Sequence, residues 1–575
     1  MSMHDLVIRK GKVIDGSGSP ARQADVAVDG ETIVAVGEVA SPGRVEIDAD
    51  GDLVTPGFVD VHTHYDGQVT WDPELRPSSF HGVTTVVMGN CGVGFAPCAP
   101  DRRDWLIGLM EGVEDIPGTA LAEGIRWNWE TFPEFMDAVE DCPLAMDVGV
   151  QVPHGALRAY VMGDRGAALE KASPAEIEQM SSLVCEAVEA GALGFTTSRT
   201  EKHRDKSGNP TPSFGVSGDE LQGIARAMGT TGKGVLQLIA DFHDFDAEFA
   251  MIRGMAEVSG RPLSMTIEQD DRYPEIWKNV LGGIAAAASD GLPMRGQVPA
   301  RATGVVMGLD VTLHPFLLHS TFYEVADKPL AERAAALRDP DFRARLLAET
   351  VEIDPSTIVG VLFGSFGKMF RLTDPPDYEP HPSTSAAAEA ERRGVTPQEV
   401  LLDWLAEEQG AALLYFPLMN YFDGDLEMVR EMLTHPQASF GLSDAGAHCG
   451  TVCDGSFPTT MLTHWVRDRK RGERLPLEWV IQKLTRGGAE LVGLEDRGLL
   501  APGMKADINV IDFEALALHA PKVVRDLPAN GRRLLQRASG YRYSIISGEV
   551  AFKDGEGTGT RRGRLLRGAR PDPRG

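Results

Sequence analysis

The chain is predicted to be an α/β protein: a (β/α)8 TIM-type barrel with a small β-sandwich domain built from both termini. Three observations predict this. Short apolar strands alternate with amphipathic helices through the middle of the chain, the pattern of a parallel sheet covered by helices. Both ends read instead as hairpins. About eight strand-and-helix units can be placed before residue 445, enough to close a parallel barrel.

The first segment, "DLVIRKGKVIDG" followed by "ADVAVDGETIVAVGE", alternates apolar and polar residues around Gly11 and Gly30. The far end repeats that grammar in "ADINVIDF" from Ala506 and "YSIISGEVAFKDG" from Tyr543. Residues 1–57 plus 495–575 are therefore assigned to the β-sandwich domain, and 58–494 to the barrel. Barrel strands are expected to end at His64 and to run near 83–90, 144–152, 191–198, 234–240 and 262–268. Ser173-Pro174-Ala175-Glu176 is a capping box that opens a helix with Ile177, Met180, Leu183, Val184 and Val188 on one face. Ser217 with Glu220 is expected to start another, carrying Leu221, Ile224 and Met228. From about 299 to 438, helical segments and the proline-rich "DPPDYEPHPSTS" (374–385) exceed one simple crossover, so an insertion is expected there, a lid or an oligomer contact.

Bulk composition narrows the function. The 575 residues are 42% hydrophobic and 24% charged, a globular balance. Acidic residues outnumber basic ones 84 to 56, a net charge of −28, which argues against nucleic acid or an anionic membrane as partner. No apolar run approaches the roughly 18 residues of a spanning helix, and the start carries no secretory pattern. Six cysteines are too sparse for a disulfide scaffold, so a cytoplasmic protein is expected. A homo-oligomer is expected too, and "RRLLQR" (532–537) reads as an oligomer contact or a solvated face.

The chemistry concentrates at "TPGFVDVHTHYDG". Residues i and i+2 of a strand share a face, so His62 and His64 point the same way where the strand opens into a turn. Two neutral imidazoles there can grip one zinc-like ion. Cys91, between Asn90 and Gly92 at the next strand end, would be a thiolate beside a cation. Asp444 follows the short strand "ASFGLS" and precedes a turn.

These motifs resemble those of the amidohydrolase superfamily. "LVTPGFVDVHTH" resembles its first-strand signature, and "HGVTTVVMGNCGVGFAP" (81–97) looks like the next strand of its N-acyl-D-amino-acid deacylase (D-aminoacylase) branch. "HGALR" (154–158), "EAGALGFTTS" (189–198), "GLSDAGAH" (441–448), "GLLAPGMKADINVID" (498–512) and "SGEVAFKDGEGTGTRRGRLLR" (547–567) extend the resemblance over essentially the whole chain. It implies zinc-dependent amide hydrolysis. It implies His62, His64, Cys91 and Asp444 as metal ligands, and Asp444 as the residue that handles the proton. That branch also supplies a histidine from each of two consecutive middle strands. This chain carries Gln237 in the first and none in "PLSMTIEQDD", while His243 lies beyond the strand. One Zn2+ is therefore expected rather than two.

The resembled substrates are small molecules with a free carboxylate. Arg199 is the first candidate to clamp it, with His203 in the same loop; His154, His448 and Gln237 are further substrate-facing candidates. The alternatives are a metal hydrolase of a cyclic amide, carbamate or dipeptide, and a non-catalytic binding or assembly protein with the same fold.

Overall fold

The structure is a computed structural model that describes residues 3–355 and 357–575; Met1 and Ser2 of the N-terminal segment lie outside the described residues. Eight parallel strands form the central sheet: β1 (Phe58–Asp60), β2 (Val83–Met88), β3 (Asp147–Pro153), β4 (Gly194–Arg199), β5 (Val235–Ala240), β6 (Leu263–Thr266), β7 (Met294–Val298) and β8 (Ala438–Phe440). They neighbour one another in chain order, with β1 and β8 at the edges. These edges meet just past the strand ends. Asp444 N–H donates to His62 O at 3.1 Å, His64 N–H donates to Ala445 O at 2.8 Å, and Thr63 bridges Ala445 in parallel register. The barrel thus closes through the two segments that carry the candidate ligands.

Strand composition follows from burial on both faces. All six residues of β2, "VTTVVM", are buried, a β-branched run with no polar side to show water. The helix Pro174–Ala190 starts as its sequence demands: Ser173 Oγ accepts from Glu176 N–H at 3.3 Å and Glu176 returns the bond to Ser173 N–H at 2.7 Å. The helix Gly218–Thr230 does not. Ser217 makes no side-chain cap, and the Glu220 side chain turns inward to His154 and Arg158, so the reciprocal half of a capping box is missing too.

Both termini enter one nine-stranded sheet. Ile508–Ile511 lies between Leu53–Pro56 and Tyr541–Ile546, antiparallel to each. Leu6, Ile8, Val26, Val28, Ile33, Val54, Met504, Ile508, Val510 and Ile545 form the apolar cluster of this sheet. Part of the C-terminal segment leaves it. The hairpin Lys522–Leu527 with Gly531–Leu535 crosses to the barrel mouth, where Leu534 N–H donates to Cys449 O at 2.6 Å. "RRLLQR" sits here: its middle residues are buried, while Arg532 and Arg537 keep 35% and 45% of their side-chain surface open to solvent. Arg533 is buried on Asp526, Arg532 lies 3.5 Å from Asp310, and Arg537 pairs with Glu556.

The segment between β7 and β8 has its own core. Gly304–Gly308, Phe370–Arg371 and Leu413–Pro417 pair antiparallel, and the helices Leu330–Arg338, Pro340–Ala348, Ile358–Gly364, Ala386–Arg393 and Pro397–Leu405 pack around a separate cluster that includes Met307, Leu337, Leu346, Met369, Leu401 and Trp404. The proline-rich stretch is a strap, pinned by Glu379 to Arg469 and by Tyr378 to Gln536.

Under the barrel, buried Asp147 binds Arg497 Nη1 at 2.7 Å and Lys505 Nζ at 3.1 Å, joining β3 to the C-terminal segment. Burial alone would raise this carboxyl, but the two cations outweigh it and bring it to about 2. Since the folded value is depressed, the group's stabilisation is present above the ordinary carboxylate value near pH 4. It is lost as pH falls towards about 2. Asp147→Asn removes one anion from two cations that keep Asp496 and Asp507, and should cost about 1.5–3 kcal/mol, read as a lower denaturant midpoint at neutral pH.

Candidate metal centre

At the C-terminal rim of the barrel four side chains converge. His62 Nε2 lies 3.1 Å from Cys91 Sγ and 3.3 Å from Asp444 Oδ1; His64 Nε2 lies 3.4 Å from the same oxygen. Ligand atoms of His62, His64 and Cys91 all fall within 4.8 Å of one another. Asp444 Oδ1 is buried and has no hydrogen-bond partner, although two ring nitrogens lie within 3.4 Å of it. Two imidazole nitrogens, one sulfur and one carboxylate oxygen are the donor set that suits a zinc-like cation, so the residues present fit such an ion.

Local sequence explains each placement. Asn90–Gly92 is a tight turn after β2 in which Cys91 has φ +54°. Gly89 and Gly92 flank it at φ +84° and +66°; a Cβ on the first would sit 2.2 Å from Gln151 O and on the second 2.8 Å from Thr197 Cα. Only glycine lets this turn press on β3 and β4 and deliver the thiol. Asp444 is itself left-handed at φ +48°, a strained conformation for a non-glycine residue, held by the hydrogen bond to His62 O across the seam. Ser443 Oγ donates to Asp60 in the same seam.

His62 Nδ1 donates to Gln297 Oε1 at 2.7 Å, and Gln297 Nε2 donates to Ser264 Oγ at 2.9 Å. This chain fixes the tautomer that leaves Nε2 free as a ligand. Burial pulls His62 down to about 4 and pushes the Cys91 thiol up to about 12, with His64 opposing the latter. Burial also lowers His64, but Glu114 and Asp444 outweigh it and hold the imidazole well above its ordinary value. For Asp444, burial would raise the carboxyl; His64 and His62 outweigh it and keep it well below the usual range. Ligating thiols and imidazoles bind a cation in their deprotonated form, so cation binding at this centre is coupled to proton release.

A profile of the amidohydrolase family matches residues 45–552. The chain belongs to the amidohydrolase family.

Among full-length relatives of this amidohydrolase are the N-acyl-D-glutamate deacylase and the D-aminoacylase of Alcaligenes xylosoxydans xylosoxydans. The first is 29% identical over 98% of this chain and 96% of its own length; the second is 28% identical over 98% and 97%. A crystal structure of an N-acyl-D-glutamate deacylase from Bordetella bronchiseptica, complexed with zinc and a phosphonate inhibitor, shares the fold at a TM-score of 0.64 and 23% identity. That match covers 98% of this chain and 100% of that one.

Around the centre, the structure gathers some of the expected substrate-facing residues and withdraws others. His203 is brought to the rim: Nδ1 bonds Ser198 Oγ at 2.9 Å, and burial together with the nearby His448 and His64 lowers it to about 3. His448 reaches the mouth, with φ +49° and its Nε2 3.9 Å from Glu114 Oε2. Gln237 does as well: its Oε1 accepts from Cys91 N–H at 3.1 Å, and its buried Nε2 is unpartnered. Arg199 is withdrawn. It forms an ion pair with Glu248 on the helix Phe245–Ser259 and donates to Val216 O at 2.8 Å, so its charge is spent away from the centre. His154 is withdrawn too. It is fully buried, with Nδ1 on Thr197 Oγ1 and Nε2 on Glu220 Oε1, both at 2.9 Å, and no nitrogen is left for a substrate.

Strands β5 and β6 present Gln237, Ser264 and Thr266 and no imidazole. His243 lies apart, 3.8 Å from both Glu201 and Asp241, where Arg272 and Thr200 already engage the carboxylates. Sequence reasoning missed Gln297, Ser443 and Glu114. Glu114 had a readable signal: it continues the buried face of α1 (Arg103–Glu114), set by Leu106, Leu109, Met110 and Val113.

Proposed function

We propose that this amidohydrolase cleaves the amide bond of N-acyl-D-amino acids or close analogues, with one Zn2+ held by His62, His64, Cys91 and Asp444. The observation that carries it is the convergence of two imidazoles on the orphaned Oδ1 of Asp444 at the barrel rim, with the Cys91 thiol grouped with the same two imidazoles. The deacylase names of the full-length relatives support the substrate class. A bound divalent cation supplies Lewis acidity, lowering the pKa of a water towards about 7 and polarising the scissile carbonyl.

The chain's residues do the rest. Asp444 keeps 13% of its side-chain surface open at the mouth, takes the proton of the attacking water, and returns it to the departing amine nitrogen. The unpartnered amide hydrogens of Gln237 are a donor for the carbonyl oxygen as negative charge develops on it. His203, held neutral, faces the leaving group from the rim.

With Arg199 neutralised, Lys202 is the cation assigned to the substrate carboxylate. Among the described residues its only ion-pair partner is Asp270 at 3.7 Å, which Arg272 already satisfies at 2.8 Å, and its charge reaches both Glu268 and His203. Lys202→Met should raise KM about tenfold with kcat nearly unchanged, equivalent to about 1.4 kcal/mol of lost binding. Arg199→Ala should leave KM in place. The six free cysteines fit a reducing compartment, and no helix among the described residues is long and apolar enough to cross a membrane.

The test of the function is a screen of N-acyl amino acids in stereochemical pairs. Turnover of D-substrates with little or none of their L-partners is expected. Turnover confined to cyclic amides, carbamates or dipeptides would overturn the substrate assignment.

A further inference from the structure

Glu114 is a carboxylate in an expensive place. It ends α1, where the helix dipole disfavours negative charge, and it is 1% exposed. Its Oε2 is buried without a hydrogen-bond partner. No arginine or lysine pairs with it among the described residues. The side chains facing it are two histidines: His64 Nδ1 lies 3.4 Å from Oε1, and His448 Nε2 lies 3.9 Å from Oε2. His64 Nδ1 is likewise buried and unpartnered, and it faces the other carboxylate oxygen, Oε1, across a gap slightly long for a hydrogen bond.

The surroundings hold Glu114 in place. Its carbonyl accepts from His448 N–H. The next residue, Asp115, sits at φ +49°, accepts from Thr312 Oγ1 at 3.0 Å and from Gly450 N–H at 3.1 Å. Both the insertion and the loop after Asp444 are thereby tied to the end of α1. Such anchoring brings a carboxylate to the far side of an imidazole whose near side, Nε2, faces Asp444. On His62 the same outer position is filled by a neutral amide, Gln297, at 2.7 Å. The two imidazoles thus have unlike outer partners, one neutral and one anionic.

We propose that Glu114 is a positioning residue for His64: it accepts the Nδ1–H of the imidazole, fixes the tautomer that offers Nε2 to a divalent cation, and strengthens that nitrogen as a donor. Carboxylate partners of ligating histidines act in this way and typically contribute 10–100-fold in metal affinity. The inference rests on the metal-centre reading given above.

The test is Glu114→Gln in the full chain, compared with wild type by two readouts. The first is Zn2+ affinity by chelator competition, expected to fall 10–100-fold in a variant shown by circular dichroism to keep its metal-free fold. The second is the imidazole NMR spectrum of histidine-15N-labelled, metal-free protein. There a His64 Nδ1–H resonance is expected in wild type, moving upfield in the variant as a charge-assisted bond becomes a neutral one. Unchanged Zn2+ affinity together with an unmoved His64 signal overturns the proposal. If wild type binds no ion yet the His64 signal still moves, the metal-centre reading fails while the Glu114–His64 bond stands.

Discussion

Asp444→Asn should lower kcat by about a thousandfold or more and leave bound metal largely in place. Asparagine keeps an oxygen at the position now occupied by Oδ1, 3.3 and 3.4 Å from the two ring nitrogens. It cannot accept a proton. General acid–base groups contribute roughly 10²–10⁴ in rate, and this residue is assigned both the uptake and the return. Wild-type Asp444 is anionic throughout the neutral range, because the flanking imidazoles hold it well below the usual carboxylate value. No titration of this group should therefore appear in the neutral limb of the pH–rate profile. Steady-state kinetics with metal analysis of the same sample checks this; near-normal turnover in Asp444→Asn would refute the proton role.

His62→Ala should have the second large effect, through the metal. His62 touches Cys91 at 3.1 Å, Asp444 at 3.3 Å and Gln297 at 2.7 Å. Losing a direct donor should exceed the roughly 10–100-fold affinity loss that follows removal of an outer partner. The purified variant should hold little metal and show little turnover, and excess Zn2+ should restore activity only in part. A variant that keeps both its ion and its rate would place the metal elsewhere.

Much of this was legible in the sequence because the decisive features are local. His62 and His64 converge as an i, i+2 pair should, although the strand expected to reach His64 stops at Asp60 and only Thr63 bridges beyond it. The terminal sheet follows from alternation around Gly11 and Gly30. What escaped is the pairing of distant residues. Arg199 looks free as text, yet a helix 49 residues further on supplies Glu248 to neutralise it. His154 looks like a rim histidine until Glu220, 66 residues on, turns away from its cap and binds it. Gln297 reaches His62 across 235 residues, and Glu114 acquires meaning only because the loop after Asp444 lands on the end of α1. In a barrel, residues far apart in the chain share one rim, so hydrogen-bond partners there are set by tertiary position rather than spacing.

The central claim is that His62, His64, Cys91 and Asp444 hold one cation. Elemental analysis of the purified wild-type chain, made without added metal and after removal of loosely bound ions, tests it most directly. The account predicts about one equivalent of a zinc-like divalent ion per chain, reduced to near zero in His62→Ala. A wild-type content under about 0.2 equivalents, unchanged after exposure to Zn2+, would contradict it.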